Sequence, residues 1–507
     1  MRLLVVGGTG LVGSAVVKAL RVRGHTVRVV VRRPPGASPD RVEGAEYIAG
    51  DVTVAESLRG AAEGCAAVVH VAGIARERRP RASYQAVNVD GTRHVLAEAQ
   101  RAGVPFVVYV SSLGAERGRS AYHRSKRHAE MLVREYPGRW LVLRPGNVYG
   151  RGDGMIAMYL QMLRMLPITP GVGNVDQPFQ PVCADDLGEV VSRAVERRDL
   201  AGQTMEIAGT ETTTQRELHA QLCALIDRHP PLVVMPAWLV RFGIRLLGLL
   251  RIDAPIGPDQ VVMMQEGNVL LDQKRSAMRD VFGVEPMPLS EGLHLLSRAT
   301  PEQMPGEGQG KLVRRRWWAD IEGSDHSPAS LLNVVRREFT TLMPHTLIDV
   351  GSEPASDEQL VTGALISLAL PVRGHVQVRV EEVTPHSVVC VTLRGHPLSG
   401  VVRLLCEARG DRLRFEVQTV DHPSGRFDRL LMLLFGVHLK RITWHALVLA
   451  VAERSGGRVA NGVEHDSESL DGTKGAHVQR WVRGLIRRRP PSRAPGRGRA
   501  DWSMRMS

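Results

Sequence analysis

Met1-Arg2-Leu3-Leu4-Val5-Val6-Gly7-Gly8-Thr9-Gly10-Leu11-Val12-Gly13 opens the chain. An apolar run, Leu3 to Val6, meets a glycine cluster, and an amphipathic segment then runs to about Arg23. That order reads as strand, tight turn, helix. Glycines let a backbone approach a diphosphate, and a helix N-terminus offers free N–H groups and the positive end of its dipole. Gly7, Thr9, Gly10, Leu11, Val12 and Gly13 are therefore the expected diphosphate contacts, and a dinucleotide is the first ligand to consider. Taken alone, the same glycines also fit a turn that only packs tightly.

The segments that follow stay in register with that reading. A second apolar run, Val27 to Val31, ends in Arg32-Arg33 with no acid. An acid there would bind ribose hydroxyls, whereas two guanidiniums suit a 2′-phosphate, so NADP(H) is expected ahead of NAD(H). The alternative is a solvated strand end in an arginine-rich chain. Gly50-Asp51-Val52 closes a third run, placing Asp51 and Val52 near an adenine. Val68 to Val71 reads as a fourth strand that runs into Ala72-Gly73, small enough for a flat ring to come close. Asn88-Val89-Asp90-Gly91-Thr92 opens a helix. Phe106 to Val110 is a fifth strand ending in Ser111-Ser112. Tyr122-His123-Arg124-Ser125-Lys126 has helical periodicity. A sixth strand, Leu141 to Arg144, leads into Pro145-Gly146-Asn147-Val148-Tyr149-Gly150.

The ordered set GGTGLVG, GDV, HVAG, NVDGT, YVSS, YxxxK and RPGNVYG resembles the extended and atypical short-chain dehydrogenase/reductases, the NAD-dependent epimerase/dehydratase group. The resemblance covers residues 1 to about 298. Gln180 to Leu187 fits the family's PVHVDDL segment, with Cys183 where histidine is common. Pro258-Asp259-Gln260 through Asn268 to Pro288-Leu289 is similar to the branch that includes the NAD(P)H-binding accessory subunit of respiratory complex I. The implied fold is α/β, a Rossmann-type doubly wound parallel sheet with a small substrate part at about 151–180 and 205–298. The implied cofactor contacts add Val71, Ala72, Gly73, Lys126, Pro145, Asn147 and Val148.

Tyr122 and Lys126 are four apart and share a helical face. A free tyrosine has a pKa of about 10 and is a poor base at neutral pH. An adjacent ammonium favours phenolate, so Tyr122 is the expected acid/base for a carbonyl/alcohol pair while hydride moves at nicotinamide. The resemblance implies that Ser112 binds the same substrate oxygen, that Lys126 also holds the nicotinamide ribose, and that Asn88 supports them. Two features depart from the pattern. Ser112 and Tyr122 are only ten residues apart, short for extended members. Ser111 competes with Ser112, and some relatives of this branch bind cofactor without known turnover.

The 507 residues suggest two to four domains, and 43% hydrophobic content is ample for globular cores. Cys65, Cys183, Cys223, Cys390 and Cys406 have no paired spacing, which argues against a disulfide framework or structural zinc and fits a reducing, cytoplasmic compartment. No metal site is expected. Neither a secretory signal nor a membrane-spanning run is expected. Net charge is +13, and residues 480–507 hold nine arginines and one aspartate, or +8. The tail, 457–507, is expected to be disordered, and its charge suits an anionic membrane surface or simple solubility. No element suggests nucleic-acid reading, and oligomeric state is open.

Thr214 with Glu217 is a capping box opening a helix to Leu225. In residues 231–250, Arg241 and Arg245 share one helical face and Trp238, Phe242, Leu246 and Leu249 populate the other. Ordinary core packing is the expectation there, with a membrane-surface helix or a cap over an apolar substrate as alternatives. A linker is expected at 299–314. A second domain, 315–456, is expected from four alternating segments: 376–380, 387–393, 401–406 and 412–420. A long apolar helix, Phe427 to about Arg454, follows them. That pattern resembles a START-like helix-grip α+β domain of the kind appended to such reductases, implying either an apolar pocket or a filled core. His375, His386, His396 and His438 read as surface or turn residues. Three functions follow: an NAD(P)(H)-dependent oxidoreductase or epimerase acting on a lipidic or glycosyl small molecule, a cofactor-binding sensor or assembly protein, and a carrier of hydrophobic ligands.

Overall fold

The computed structural model describes the chain apart from residues 33–41, 78–81, 151–154, 250–253, 255, 273–276, 345–348, 354–357, 371–373 and 489–507. The chain divides into two compact units, Met1–Leu163 with Ile168–Ser297, and Arg298–Ser507 with Arg164–Pro167.

The first unit holds β1 (Arg2–Val6), α1 (Leu11–Val22), β2 (Thr26–Val31), β3 (Glu46–Ala49), β4 (Ala67–His70), α2 (Gly91–Arg101), β5 (Phe106–Val110), α3 (Ala121–Arg134) and β6 (Arg139–Pro145). After these come β7 (Asn147–Tyr149), α4 (Ile156–Met165), β8 (Thr169–Val172), β9 (Pro181–Cys183), α5 (Ala184–Ala194), β10 (Gln203–Ile207), α6 (Gln215–Ile226), β11 (Leu232–Met235), α7 (Ala237–Leu249), α8 (Pro258–Glu266), α9 (Ala277–Asp280) and α10 (Leu289–Arg298). Among the described residues seven strands form one sheet in the order β10-β6-β5-β4-β1-β2-β3, every pair parallel.

Strand alternation explains why both faces are covered. Leu3 and Val5 of β1 pack with Val16, Val17 and Leu20 of α1 and Leu187, Val190 and Val191 of α5. Leu4 and Val6 point the other way, into a cluster with Val95 and Ala99 of α2 and Ala129 and Val133 of α3. A strand buried on both faces reads as a continuous apolar run, as these do. The chain reverses its direction of travel across the sheet between β1 and β4. In such sheets ligands bind outside the strand C-termini at that switch point. Gly7 and Val71-Ala72-Gly73 lie there.

The second unit is antiparallel. It contains β12 (Leu312–Glu322), α11 (Pro328–Leu342), β13 (Asp349–Glu353), β14 (Leu365–Leu370), β15 (Gly374–Val383), β16 (Ser387–Thr392), β17 (Leu398–Arg409) and β18 (Arg412–Pro423). Then come α12 (Arg426–Leu431), α13 (Val437–Arg454), β19 (Arg458–Val459), β20 (Glu464–Leu470) and α14 (Gly472–Arg488). The sheet order is β13-β14-β15-β16-β17-β18-β12-β19, with β20 also on β12. Leu331, Val335 and Phe339 of α11 and Leu447, Val448 and Val451 of α13 form its core with one sheet face.

Three expectations need correction. The segment 457–507 is not wholly disordered: β20 pairs with β12 from Leu312↔Leu470 to Trp318↔Glu464, and α14 buries Val482 and Leu485. Arginine-rich composition masked a helical repeat of Val478, Trp481, Val482, Leu485 and Ile486, and all of these but Leu485 close a small apolar cluster. Residues 489–507 of that segment lie outside the described residues. The expected linker is tied down inside the second unit, where Gln303 N–H donates to Thr392 O and Gln309 N–H to Pro423 O, both at 2.7 Å. The expected long helix forms as one helical run, α12 continuing through a π-helical turn (Met432–Gly436) into α13. His396 is buried rather than at the surface, its Nδ1 3.1 Å from Leu398 O.

Candidate active site

The opening turn is built for backbone contact. Gly7 has φ +92°, and a Cβ there would lie 2.6 Å from Ala72 N. A Cβ on Gly13 would lie 2.0 Å from Gly7 O, so only glycine fits either place. Gly10 differs: a Cβ would meet nothing nearer than Gly7 O at 3.5 Å. Gly10 is also the N-cap of α1, which has no side-chain cap and no acid in its first turn. The N–H groups of Leu11, Val12 and Gly13 thus begin the helix without intrahelical partners, beside exposed Thr9. This bare, positively polarised cradle fits a dinucleotide diphosphate.

The other predicted cofactor contacts ring the same strand ends. Arg32 is exposed just past β2, and Arg33 lies outside the described residues. Asp51 follows β3, and its Oδ1 accepts from Thr53 N–H (2.9 Å) and Thr53 Oγ1 (2.8 Å). Val52 packs against Gly91 and its carbonyl lies 2.8 Å from His94 Nδ1. Val71 continues β4, its N–H donating to Val6 O at 3.0 Å. Ala72 packs on Gly7 and Gly73 on Asn88. Pro145 ends β6, and Asn147 and Val148 lie in β7.

Ser112, Tyr122, Lys126 and Asn88 converge at the ends of β4 and β5. Ser111 Oγ donates to Glu130 at 2.6 Å, and Glu130 is gripped by Arg144 through Nε (2.9 Å) and Nη2 (2.8 Å). Ser111 is thereby committed to a buried ion pair, while Ser112 faces Tyr122. Burial pushes the Tyr122 phenol up, with the Ser112 hydroxyl acting in the opposite direction. Lys126 is 3% exposed and donates to Val110 O at 2.7 Å, its Nζ 4.4 Å from the Tyr109 ring centroid. Burial pushes this lysine down to about 7, against the pull of Glu130. The expected lowering of Tyr122 by an adjacent ammonium is not seen, because burial dominates at the phenol and Lys126 lies against carbonyl and ring.

Asn88 lies in a π-helical segment (Gln85–Asp90) ahead of α2, a distortion that suits functional sites. Its Oδ1 accepts from Ile74 N–H (2.8 Å), and its Nδ2 donates to Ile74 O (3.1 Å) and Ser125 Oγ (2.9 Å). Behind it, Thr92 Oγ1 donates to Asn88 O at 2.7 Å. That hydroxyl must then accept from His70 Nε2 at 2.9 Å, which fixes the tautomer. Burial first, with Lys126 adding, pushes His70 down to about 3, so it stays neutral.

Helix α8 anchors the start of α3. Asp259 accepts from Ala121 N–H and Tyr122 N–H, each at 2.9 Å. Glu266 accepts from Ser120 N–H and sits 2.6 Å from His123 Nδ1. Two carboxylates at a helix N-terminus are favourably placed for its dipole. The same α8 carries Met263 and Met264 into an apolar cavity of about 410 Å3. Ile156 and Met162 of α4, Val172 of β8 and the inner side of α7 complete its wall, and Asn147, Asn174, Gln177, Gln215 and Asn268 supply polar atoms. Asn268 Nδ2 donates to Asn147 Oδ1 at 2.6 Å, and Asn268 Oδ1 is a buried acceptor with no hydrogen-bond partner.

Comparison with known proteins agrees with this geometry. The model of the NAD dependent epimerase/dehydratase family matches residues 3–208. The chain is 30% identical over 277 residues to epimerase family protein SDR39U1 of Mus musculus, covering 49% of this chain and 89% of that protein. The chain belongs to the NAD dependent epimerase/dehydratase family. It is also 33% identical over 166 residues to ceramide reductase of Caulobacter vibrioides, covering 33% of this chain and 52% of the relative. A Stigmatella aurantiaca 4-hydroxy-2-methyl-3-oxo-4-farnesyl-3,4-dihydroquinoline-1-oxide ketoreductase is 31% identical over 173 residues, covering 30% of this chain and 52% of that protein. The chain thus spans about half the length of both reductases.

Asp259, Glu266, His123 and Asn268 adjoin the candidate site, and the sequence alone gave them no role. Asp259 and Asn268 fell in a stretch that marked a family branch. An acid at the start of one helix capping another leaves no local spacing, since the partners are more than 130 residues apart. Among the described residues no cluster of metal-ligating side chains occurs. All five cysteines are buried and unbridged.

Proposed function

We propose that this protein is an NAD(P)(H)-dependent oxidoreductase acting on a ketone or secondary alcohol of a lipidic molecule. One observation carries the reading: the apolar, methionine-rich cavity shares Asn147 with the predicted cofactor contacts, and its α8 wall holds the helix bearing Tyr122 and Lys126. The wall is mostly apolar and carries no charged side chain, its polar groups being chiefly the amides of Asn147, Asn174, Gln177, Gln215 and Asn268, which suits an apolar substrate better than a glycosyl group. Ceramide reductase and the farnesyl-quinoline ketoreductase, by their names, act on lipidic compounds, which supports the same substrate class.

A bound nicotinamide would supply or accept the hydride. Toward a ketone, the Tyr122 phenol delivers its proton to the oxygen and Ser112 donates to that oxygen as charge develops. A phenol held protonated by burial suits the reducing direction. Lys126 and Asn88 hold the floor of the site. Arg32 favours NADP(H) through a 2′-phosphate. The test is NADPH oxidation with long-chain ketones by the full chain. Y122F should lower kcat by about 100-fold or more with unchanged NADPH affinity. Undiminished turnover in Y122F would overturn the mechanism. Thermal shifts with NADPH and NADH on R32E should show the larger loss for NADPH.

A second reading rests on the second unit, whose cavity of about 720 Å3 is lined by Ile366, Leu368, Leu404, Leu439 and Trp444, as a helix-grip carrier would require. Native mass spectrometry of the full chain should find an apolar molecule retained there. A chain that retains none and binds none of a fatty-acid and sterol panel would remove this reading.

A further inference from the structure

Helix α7 divides cleanly into two faces. At about 100° per residue, positions 238, 241, 242, 245, 246 and 249 fall within an arc of about 140°. Trp238 is 69% exposed, Phe242 61% and Leu249 81%, and Leu246, Arg241 and Arg245 are exposed with them. The opposite arc, Leu239, Val240, Gly243, Ile244 and Leu247, lines the 410 Å3 cavity, with Leu239 at its edge and itself 43% exposed. No residue of α7 is buried, which corrects the expectation of core packing. Helices that pack as core bury one stripe, whereas this one exposes its largest aromatic side chains.

We infer that α7 is a membrane-docking helix, whose outer face enters the headgroup layer of an anionic bilayer so that a lipidic substrate passes from the bilayer into the cavity beneath. This deepens the oxidoreductase reading and rests on it for the substrate. Three observations select a bilayer as occupant. The exposed apolar side chains are continuous, and Val233 and Val234 of the preceding β11 are exposed with them. The helix has no acidic residue. Arg241 and Arg245 have no ion-pair partner among the described residues and flank the apolar stripe on one side, as cations flank an interfacial helix. Each arginine near an anionic surface adds about 1 kcal/mol of attraction. Among the described residues no helix is long and apolar enough to cross a membrane, so the contact is peripheral. A single helix separates the outer face from the cavity, making α7 both anchor and cavity wall.

The experiment is co-sedimentation of the full-length protein with phosphatidylcholine vesicles, alone or mixed with phosphatidylglycerol. It compares wild type with W238S/F242S and R241E/R245E, whose side chains avoid the cavity. Wild type should bind mixed vesicles, and each double variant should bind roughly tenfold less or weaker still, with unchanged thermal unfolding. Binding undiminished in both variants would assign it to the arginines of residues 480–507 and overturn the proposal, as would failure of wild type to bind. A dimer in solution that W238S/F242S dissolves would assign the face to a second copy and also overturn it. Turnover of a short, water-soluble ketone separates this proposal from the one above. Vesicle binding without turnover leaves docking standing and removes the oxidoreductase, and turnover without vesicle binding does the reverse.

Discussion

The Tyr122 amide donates to Asp259 Oδ2 at 2.9 Å, and the Ala121 amide donates to Oδ1 of the same carboxylate. The helix that presents the proposed acid/base is therefore fixed to the helix that walls the cavity. A carboxylate at this place caps two N–H groups and meets the positive end of α3. D259A should cost about 1–2 kcal/mol in urea unfolding, and should lower kcat several-fold while leaving NADPH affinity in place. D259N, which keeps an acceptor oxygen, should recover part of the stability. A D259A protein with full stability and full turnover would remove the coupling.

The glycine cradle gives a sharper contrast. A Cβ on Gly13 would collide with Gly7 O, whereas one on Gly10 meets no protein atom nearer than 3.5 Å. G13A should destabilise by about 2 kcal/mol or more, as forced overpacking does. G10A should leave thermal unfolding within about 0.5 kcal/mol of wild type and yet abolish the thermal shift given by NADPH. The discriminating measurement is that shift, since a nucleotide that still stabilises G10A does not lie on this turn.

These two positions show what was legible in sequence. The glycine turn, the six leading strands and the Tyr122–Lys126 pair are local patterns, and local spacing encodes them. The capping box at Thr214 and Glu217 is another, and it forms as read, with Thr214 Oγ1 accepting from Glu217 N–H at 3.1 Å. Asp259 was opaque because its partners are distant in the chain. The same holds for β12, whose partner strands are β18 to one side and β19 and β20 to the other. Helix α7 was misread for a different reason: periodicity reports that a helix has two faces, and says nothing about which of two apolar arcs meets protein.

Lys126 predicts a pH dependence. Its folded pKa is lowered to about 7 by burial, below the value of the exposed side chain, about 10.4. Between those values the unfolded state holds more protons, so this group makes stability rise with pH from about 7 toward 10, and its cost is complete below 7. K126M removes that cost and forfeits the hydrogen bond to Val110 O. The cofactor-free variant should be more stable than wild type by about 1–3 kcal/mol at pH 6–7, with the gain shrinking by pH 10, and should be inactive. Urea unfolding across that range checks the sign, and a gain that grows with pH contradicts it.

The second unit carries a buried ion pair of the opposite character. Lys440 Nζ lies 2.5 Å from Asp421 Oδ1, with Arg315 Nη1 at 3.6 Å. Burial works to raise the Asp421 carboxyl, but Lys440 and Arg315 outweigh it and hold it below the usual range. Removing one partner leaves a charge with poor compensation, so K440M should cost about 3–5 kcal/mol, whereas K440M/D421L should recover most of that loss. A folded pKa below the unfolded one means the contribution of Asp421 is present above about pH 4 and fades as pH falls through the folded value. K440M should therefore move acid unfolding of this unit to higher pH, because Asp421 then protonates more readily. Emission from Trp317, Trp318, Trp444 and Trp481 reports on that unit, and an acid midpoint unchanged in K440M would show that the pair does not set its acid stability.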